Sequence, residues 1–393
     1  MNPNIAKVAR GVLTVALMAL LVPAVVPAQP SPKRVIVTFT PGQEAVGKAR
    51  VRSLGAAENS DLPIVHGAAM TLPAGVSMDK VRRLPGVTRV EEDVVVTALG
   101  RAKSPSGQKL PWGVDRVEAD LVWSTTSGDP VKVAVIDTGI DTSHPDLLAN
   151  IKGGYSAVAY TTSYADDNGH GTHVAGTIAA ANNTVGVVGV APMADLYGVK
   201  VLDRQGSGYL SDIIEGIQWS TSNGINVINM SLGTSTYSAT FDAACQAAIG
   251  SGVTIVAAAG NSGPGEGTVG YPAKFAGVIG VSAIDSSNAI ASFSSRGDGV
   301  DIAAPGVSIY STYKGRKYST LSGTSMASPH VAGAAALVLT TPVGTDDLDA
   351  DGAWDPAEVQ NRLTRTAADL GAAGYDTAYG WGMVRADSAV AAQ

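Results

Sequence analysis

The chain has 393 residues, 45% hydrophobic and only 16% charged, with 46 glycines; this balance excludes a disordered or fibrous polypeptide and leaves room for more than one packed domain. The net charge of −7 divides unevenly, with 13 Lys/Arg against 7 Asp/Glu in residues 1–105 and 14 against 27 in residues 106–393. Nothing in this acidic body indicates a nucleic-acid partner, and the opposed signs suit either a front part that docks on the rear or ordinary solvated surfaces.

In chain order, Lys7 and Arg10 precede an apolar run from Gly11 to Val26, and Val26-Pro27-Ala28 supplies small residues before a cut. This reads as a secretory signal over residues 1–28, with an extracellular product and no membrane anchor after its removal. Arg34 to Phe39 then predicts a strand, Gln43 to Leu54 a helix, His66 to Leu72 a further apolar stretch, Asp79 to Leu84 a short helix and Val87 to Val96 a final strand. That alternation suits a small α+β domain from residue 29. Gly100 to Gln108 has linker composition, so residues 29–105 form one unit with its linker and residues 106–393 another.

From Leu110 onward the strands are continuous apolar runs: Val131 to Ile136, Leu196 to Val201, Val227 to Met230 and Val253 to Ala259. Strands of this kind are buried on both faces, which predicts an α/β domain with a parallel sheet between helical layers and its chemistry at the carboxyl ends of the strands. Those ends carry Asp137-Thr138-Gly139, Ser231-Leu232-Gly233 and Gly260-Asn261. Two segments rich in small and polar residues open helical stretches, Asn168 to Gly176 around His170 and Ser322 to Gly333 around Ser325. The single cysteine, Cys245, permits no intrachain disulfide and reads as a buried filler, so bound metal is the expected tie for an exported chain.

Asp137-Thr138-Gly139, His170-Gly171-Thr172-His173 and Gly323-Thr324-Ser325-Met326-Ala327-Ser328-Pro329 closely resemble the three signature blocks of the subtilisin-like serine proteases, in the order Asp, His, Ser. The resemblance runs from Leu110 to the C-terminus. It implies a three-layer subtilisin-like catalytic domain in which Ser325 attacks, His170 moves the proton and Asp137 orients His170. Asn261 matches the residue that donates to the oxyanion with the Ser325 backbone N–H. His173 and His330 fall outside these roles and are expected to be structural.

By the same resemblance, Gly206-Ser207-Gly208 and Ser231-Leu232-Gly233 are two edge segments that pair with an extended polypeptide substrate, and Gly270 floors the pocket for the side chain before the cut bond. A glycine there implies preference for Phe, Tyr, Leu or Met. Leu202, Leu210, Ile213 and Leu232 would line a more distal apolar pocket. The resemblance also carries a structural calcium site onto Gln108, Asp146 and Asn183 with the carbonyls of Ala181, Val185 and Val187. Independently, Asp347, Asp349, Asp351, Gly352, Asp355 and Glu358 have the spacing of an EF-hand-type calcium loop, with Pro356 to Thr366 as its exiting helix, although Thr341-Pro342-Val343-Gly344 departs from an entering helix.

Residues 29 to about 99 resemble the family's inhibitory, ferredoxin-like prodomain, whose tail Val94 to Leu99 would enter the cleft; self-cleavage is expected after Leu99, near Ser106, or at both. The product is expected to be a monomer. Two other readings stay open, a silent scaffold on the same fold and an esterase acting on small acyl groups.

Overall fold

The computed structural model describes residues 32–98 and 108–391. The signal segment and both expected cleavage points, Leu99 and Ser106, lie outside the described residues.

The leader unit comprises β1 (Lys33–Phe39), α1 (Glu44–Arg52), β2 (Ala57–Leu62), β3 (Gly67–Leu72), α2 (Met78–Arg82), β4 (Val87–Glu92) and β5 (Val95–Ala98). Its antiparallel sheet runs β2-β3-β1-β4. Period-2 alternation in β1 turns Val35, Val37 and Phe39 into the leader's own core and Ile36 toward the rest of the molecule. Two expectations are corrected here. β2, Ala-Glu-Asn-Ser-Asp-Leu, was not anticipated because an edge strand with mostly exposed side chains carries no apolar pattern. The single strand expected over Val87 to Val96 is broken at Asp93-Val94, so that β5 leaves the leader's sheet altogether.

The second unit continues with α3 (Trp112–Arg116), β6 (Lys132–Asp137), β7 (Ile151–Ser156), α4 (His170–Ala179), β8 (Asp195–Lys200), β9 (Ser207–Tyr209), α5 (Leu210–Ser222), β10 (Val227–Met230), β11 (Leu232–Gly233), α6 (Ala239–Ile249) and β12 (Thr254–Ala258). It closes with β13 (Val278–Ile284), β14 (Ile302–Pro305), the hairpin β15 (Ile309–Tyr313) and β16 (Lys317–Leu321), α7 (Thr324–Val338), α8 (Pro356–Arg365) and α9 (Ala386–Ala391). Seven strands form one sheet in the order β14-β13-β12-β10-β6-β8-β7, with every pairing parallel.

Alternate residues of β6 show the layering. Val133 and Val135 pack with Val174 and Ile178 of α4 and Val331 of α7, whereas Ala134 and Ile136 pack with Ile213 and Ile217 of α5 and Phe241 of α6. Both faces are dry, which is why these strands read as unbroken apolar runs. Cys245 is fully buried in the α5–α6 layer, and burial pushes its thiol up, so it is a packing residue with no reactive thiolate. The leader's sheet lies over the same layer: Ile36, Leu62, Val65 and Ala69 share one core with α5 and α6.

Candidate functional site

β6 ends at Asp137, and α4 begins at His170 beside it. The His170 Nδ1 lies 2.8 Å from Asp137 Oδ1 and 2.9 Å from Oδ2, with both side chains buried. A carboxylate at that nitrogen fixes the tautomer in which Nδ1–H donates and Nε2 is the basic atom. Ser325 stands in the first turn of α7, its hydroxyl donating to the Ser231 carbonyl at 3.0 Å. Asn261 follows β12, and its Oδ1 accepts from Thr324 N at 3.0 Å and Thr324 Oγ1 at 2.9 Å. Two donors on the oxygen fix the amide's orientation and leave its NH2 group to act as donor.

A supporting network was not anticipated from the sequence. Thr138 Oγ1 donates to Asp166 Oδ1 at 2.9 Å and accepts from Gly171 N at 2.9 Å, joining the end of β6 to the start of α4. Asp166 also accepts from the amides of Asn168, Gly169 and Thr172. Removal from water outweighs these donors and pushes the Asp166 carboxyl above its ordinary value. Lys200, fully buried, donates to Thr138 O at 2.8 Å, Leu202 O at 2.8 Å and Asp167 Oδ1 at 2.6 Å, tying the loops that carry Asp137 and His170. The one available signal was a lysine within the apolar strand around Val199 and Val201, since a buried ammonium requires oxygen partners.

His173 and His330 take structural places. His173 Nε2 faces the carbonyls of Ile309 and Ser319 at 3.0 and 3.2 Å, and burial drops its pKa to about 3. His330 Nδ1 faces Met326 O at 2.8 Å, and burial drops its pKa to about 4.

The rim beside Ser325 is filled by the leader. β5 lies antiparallel between β9 and β11, pairing Val95 with Tyr209, Val96 with Gly208, Thr97 with Ser207 and Gly233, and Ala98 with Leu232. Gly208 has to be glycine, since a Cβ there would come 2.1 Å from Val201 O. Gly206, with φ of 76°, makes the turn that leads into this segment. Val96 is fully buried in the cluster containing Leu202, Leu210, Ile213 and Leu232. Beyond Thr97 a cavity of 220 Å³ opens among Gly233, Thr234, Ala259, Asn261 and Gly270. A Cβ on Gly270 would stand 3.0 Å from Thr234 O, so the glycine keeps this wall open.

Two leader carboxylates hold helix N-termini. Glu91 accepts from Ser238 Oγ, Ala239 N and Thr240 N at the start of α6, and Asp93 accepts from Ser211 N and Ser211 Oγ at the start of α5. Each satisfies amides that have no partner within the helix and meets the positive end of its dipole.

Of the first set of metal-ligand residues, Gln108 Nε2 lies 3.2 Å from Ala181 O and 3.5 Å from Val187 O, and Asn183 Nδ2 lies 3.0 Å from the buried Asp146 Oδ1. Val185 sits at the outer side, its N–H donating to Asn183 Oδ1. The Asp146 carboxylate and the Ala181 and Val187 carbonyls are oxygens of the kind a hard cation takes, and here they accept from the two amide NH2 groups and, at Asp146 Oδ2, from Val187 N at 2.9 Å. Of the second set, Asp347, Asp349 and Asp351 present carboxylate oxygens within 4.8 Å of one another. Asp355 and Glu358 stand outside that group and form a capping box at α8, with Glu358 also accepting from Leu348 N at 2.6 Å.

The subtilase family profile matches residues 128–382. The chain is 44% identical over 365 residues to subtilisin E of Bacillus subtilis, covering 91% of this chain and 90% of that relative. It is 47% identical over 313 residues to an alkaline protease of Shouchella clausii, covering 79% and 76% respectively. To subtilisin Savinase of Lederbergia lenta it is 50% identical over 283 residues, 72% of this chain and 99% of the relative.

Proposed function

Because the chain belongs to the subtilase family and is a serine endopeptidase, we propose that Asp137, His170 and Ser325 carry an acyl-enzyme cycle in a secreted, self-processing precursor. His170 Nε2 takes the Ser325 proton as Oγ attacks the scissile carbonyl, and the tetrahedral oxyanion receives the Ser325 N–H and an Asn261 Nδ2–H. The proton passes from His170 to the departing amine. Water then loses a proton to His170 as it attacks the acyl group, and His170 returns that proton to Ser325 Oγ as the acid product leaves. Asp137 holds His170 in the required tautomer throughout and stabilises the imidazolium.

The observation that carries this reading is the leader's own tail, held as an extended strand between β9 and β11, whose Leu232 follows Ser231, the residue whose carbonyl accepts the Ser325 hydroxyl at 3.0 Å. A substrate bound in the same way is recognised mostly through its backbone, through Gly206-Ser207-Gly208 on one side and Ser231-Leu232-Gly233 on the other, which gives breadth. The cavity at Gly270 favours large apolar side chains before the cut, and the cluster around Val96 favours an apolar side chain three residues earlier. Ala98 pairs with Leu232, and the preceding residue Ser231 accepts the Ser325 hydroxyl, which supports a first processing cut one residue past Ala98, after Leu99.

On this reading residues 1–28 direct export, residues 29–105 are the intramolecular inhibitor with its linker, and residues 106–393 are the enzyme, a monomer. Among the described residues no helix is long and apolar enough to cross a membrane. Structural calcium would be held by Gln108, Asp146 and Asn183 with the carbonyls of Ala181, Val185 and Val187, and a second ion by Asp347, Asp349 and Asp351, with Asp355 and Glu358 completing the loop only if they leave their capping contacts. Bound calcium would neutralise clustered oxygens and tie loops that no disulfide joins. Fluorophosphonate labelling that disappears in Ser325→Ala, together with casein digestion outpacing hydrolysis of a small ester, is the expected result; a labelled enzyme that cuts esters and leaves casein intact would replace the proteolytic reading with an esterase.

A further inference from the structure

Beside the paired tail, the surface of the second unit already holds a guanidinium. The Arg34 side chain reaches across from β1, its Cζ 3.8 Å from the centre of the Tyr209 ring. Its Nη2 lies 2.8 Å from Ser211 Oγ and 3.6 Å from Asp212 Oδ1, while Nε binds the leader's Asp93 at 2.8 Å. Arg34 shares its sheet face with Ile36, so the alternation that docks the leader also delivers this charge.

When the leader departs, Arg34 and Asp93 leave together. Tyr209 and Asp212 remain, lining a cavity of 260 Å³ together with Tyr160 and Asp203, with Val95 of the tail at its side. Asp212 is only 8% exposed with the leader in place. Its remaining neighbour of like charge is Glu215 on α5; of the nearby cations, Arg204 beside Asp203 is exposed and the Lys200 ammonium lies 5.7 Å from the centre of the Tyr160 ring. The vacated niche is therefore an aromatic face flanked by carboxylates.

Val95 connects this niche to substrate. It pairs directly with Tyr209, and directly opposed residues of an antiparallel pair project their side chains to the same face. It is 55% exposed and too short to fill the cavity it lines. A long basic side chain in its place has the Tyr209 ring as its cross-strand neighbour and the Asp212 carboxylate within its reach.

We infer that the processed enzyme has a cation subsite formed by Tyr209 and Asp212, with Asp203 at its rim, which selects arginine or lysine on the substrate residue occupying the place of Val95, the fifth before the cut. The leader carries valine there and neutralises Asp212 with Arg34 from a different strand, so the subsite is complete only after processing. Ring stacking favours arginine over lysine. This inference rests on the proteolytic reading above and on its register.

The test uses enzyme matured from the full-length chain and three internally quenched peptides that differ only in carrying Arg, Val or Glu five residues before a Leu cut site. Arg over Glu is expected to be about tenfold in kcat/KM at low ionic strength, shrinking in about 1 M salt as exposed charges are screened. In Asp212→Asn that ratio should fall to about twofold. In Tyr209→Leu the advantage of Arg over Val should fall while Val over Glu persists. Ratios are taken within one enzyme, so a general loss of activity cancels. Equal rates for the three peptides, or a ratio unchanged in Asp212→Asn, overturn the subsite while leaving proteolysis standing. Failure to cut the Val peptide at all removes the proteolytic reading and this inference with it.

Discussion

The amide of Thr240, at the start of α6, donates to the Glu91 carboxylate of the leader at 3.0 Å, so a helix of one unit is capped by a side chain of the other. Asp93 does the same for α5 through Ser211 N at 2.7 Å. Replacing either carboxylate leaves helix amides without a partner in a buried contact, at a cost of roughly 1–3 kcal/mol to the docked state. Glu91→Ala and Asp93→Ala precursors are expected to lose the cleaved leader from the enzyme sooner, seen as a shorter lag before peptidase activity appears. An unchanged lag in both would show that the caps do not hold the leader.

The docked state is expected to weaken toward alkaline pH. Burial, with Asp93 and Glu215 close by, outweighs Arg34 and the Tyr209 backbone and pushes the Asp212 carboxyl up to about 7 from its ordinary 3.8. A carboxyl raised in the complex contributes fully to association below the ordinary value and loses that contribution as pH rises through 7. Glu91 acts in the opposite sense: burial would raise it, but Thr240, Ser238 and Ala239 outweigh burial and hold it below its ordinary 4.5, so its contribution fades in acid. Leader retention followed by native chromatography should be greatest in mild acid and fall through pH 7, and Asp212→Asn should flatten the alkaline limb. A retention curve rising from pH 6 to 8 would contradict the assignment.

Ser325→Ala and Asp137→Asn are expected to reduce kcat by about 10⁴-fold or more, because nucleophile, base and orienting carboxylate act as one unit. Ser325→Ala should also accumulate as an uncut precursor, measured by intact mass. A precursor that still processes itself would assign the cut to another group.

Asn261→Ala removes one oxyanion donor and should lower kcat by about 10²- to 10³-fold with little change in KM. The amide also accepts from Thr324, so Asn261→Asp serves as a control that keeps the acceptor and loses the donor. Equal losses in both variants support the donor role, whereas a fully active Asn261→Asp excludes it.

Chelation should lower the melting temperature by about 10 °C, the effect of removing a ligand present at large excess over its Kd. Asp146→Ala should abolish most of that response, and Asp347→Ala with Asp349→Ala a smaller part. A melting temperature indifferent to chelator in the wild-type enzyme would remove calcium from both places.

The parallel sheet was legible because Val133 to Ile136 and Val227 to Met230 are buried on both faces, and Asp137, His170, Ser325 and Asn261 were legible because each lies in a short, unusual run at the end of a strand or the start of a helix. Glu91 and Asp93 were not. In the run Glu91-Glu92-Asp93 they read as solvated charge, and only the bend that sends β5 into the cleft turns them onto two helix ends. The polar edge strand β2 and the Thr138–Asp166–Lys200 network share that limitation, since their meaning comes from partners distant in the sequence.

The sheet's connectivity bears on how long the enzyme lasts. Val133 lies beside Val227 and Ile151 beside Leu196, so native order requires stretches of chain to meet before any reward is felt, a search that is slow in both directions. The leader holds α5 and α6 by their ends beside this sheet, and on the proposed reading it would offer the search a template. If the leader is removed, as proposed, a molecule that opens has lost those contacts, and its endurance becomes a matter of how rarely the barrier is crossed.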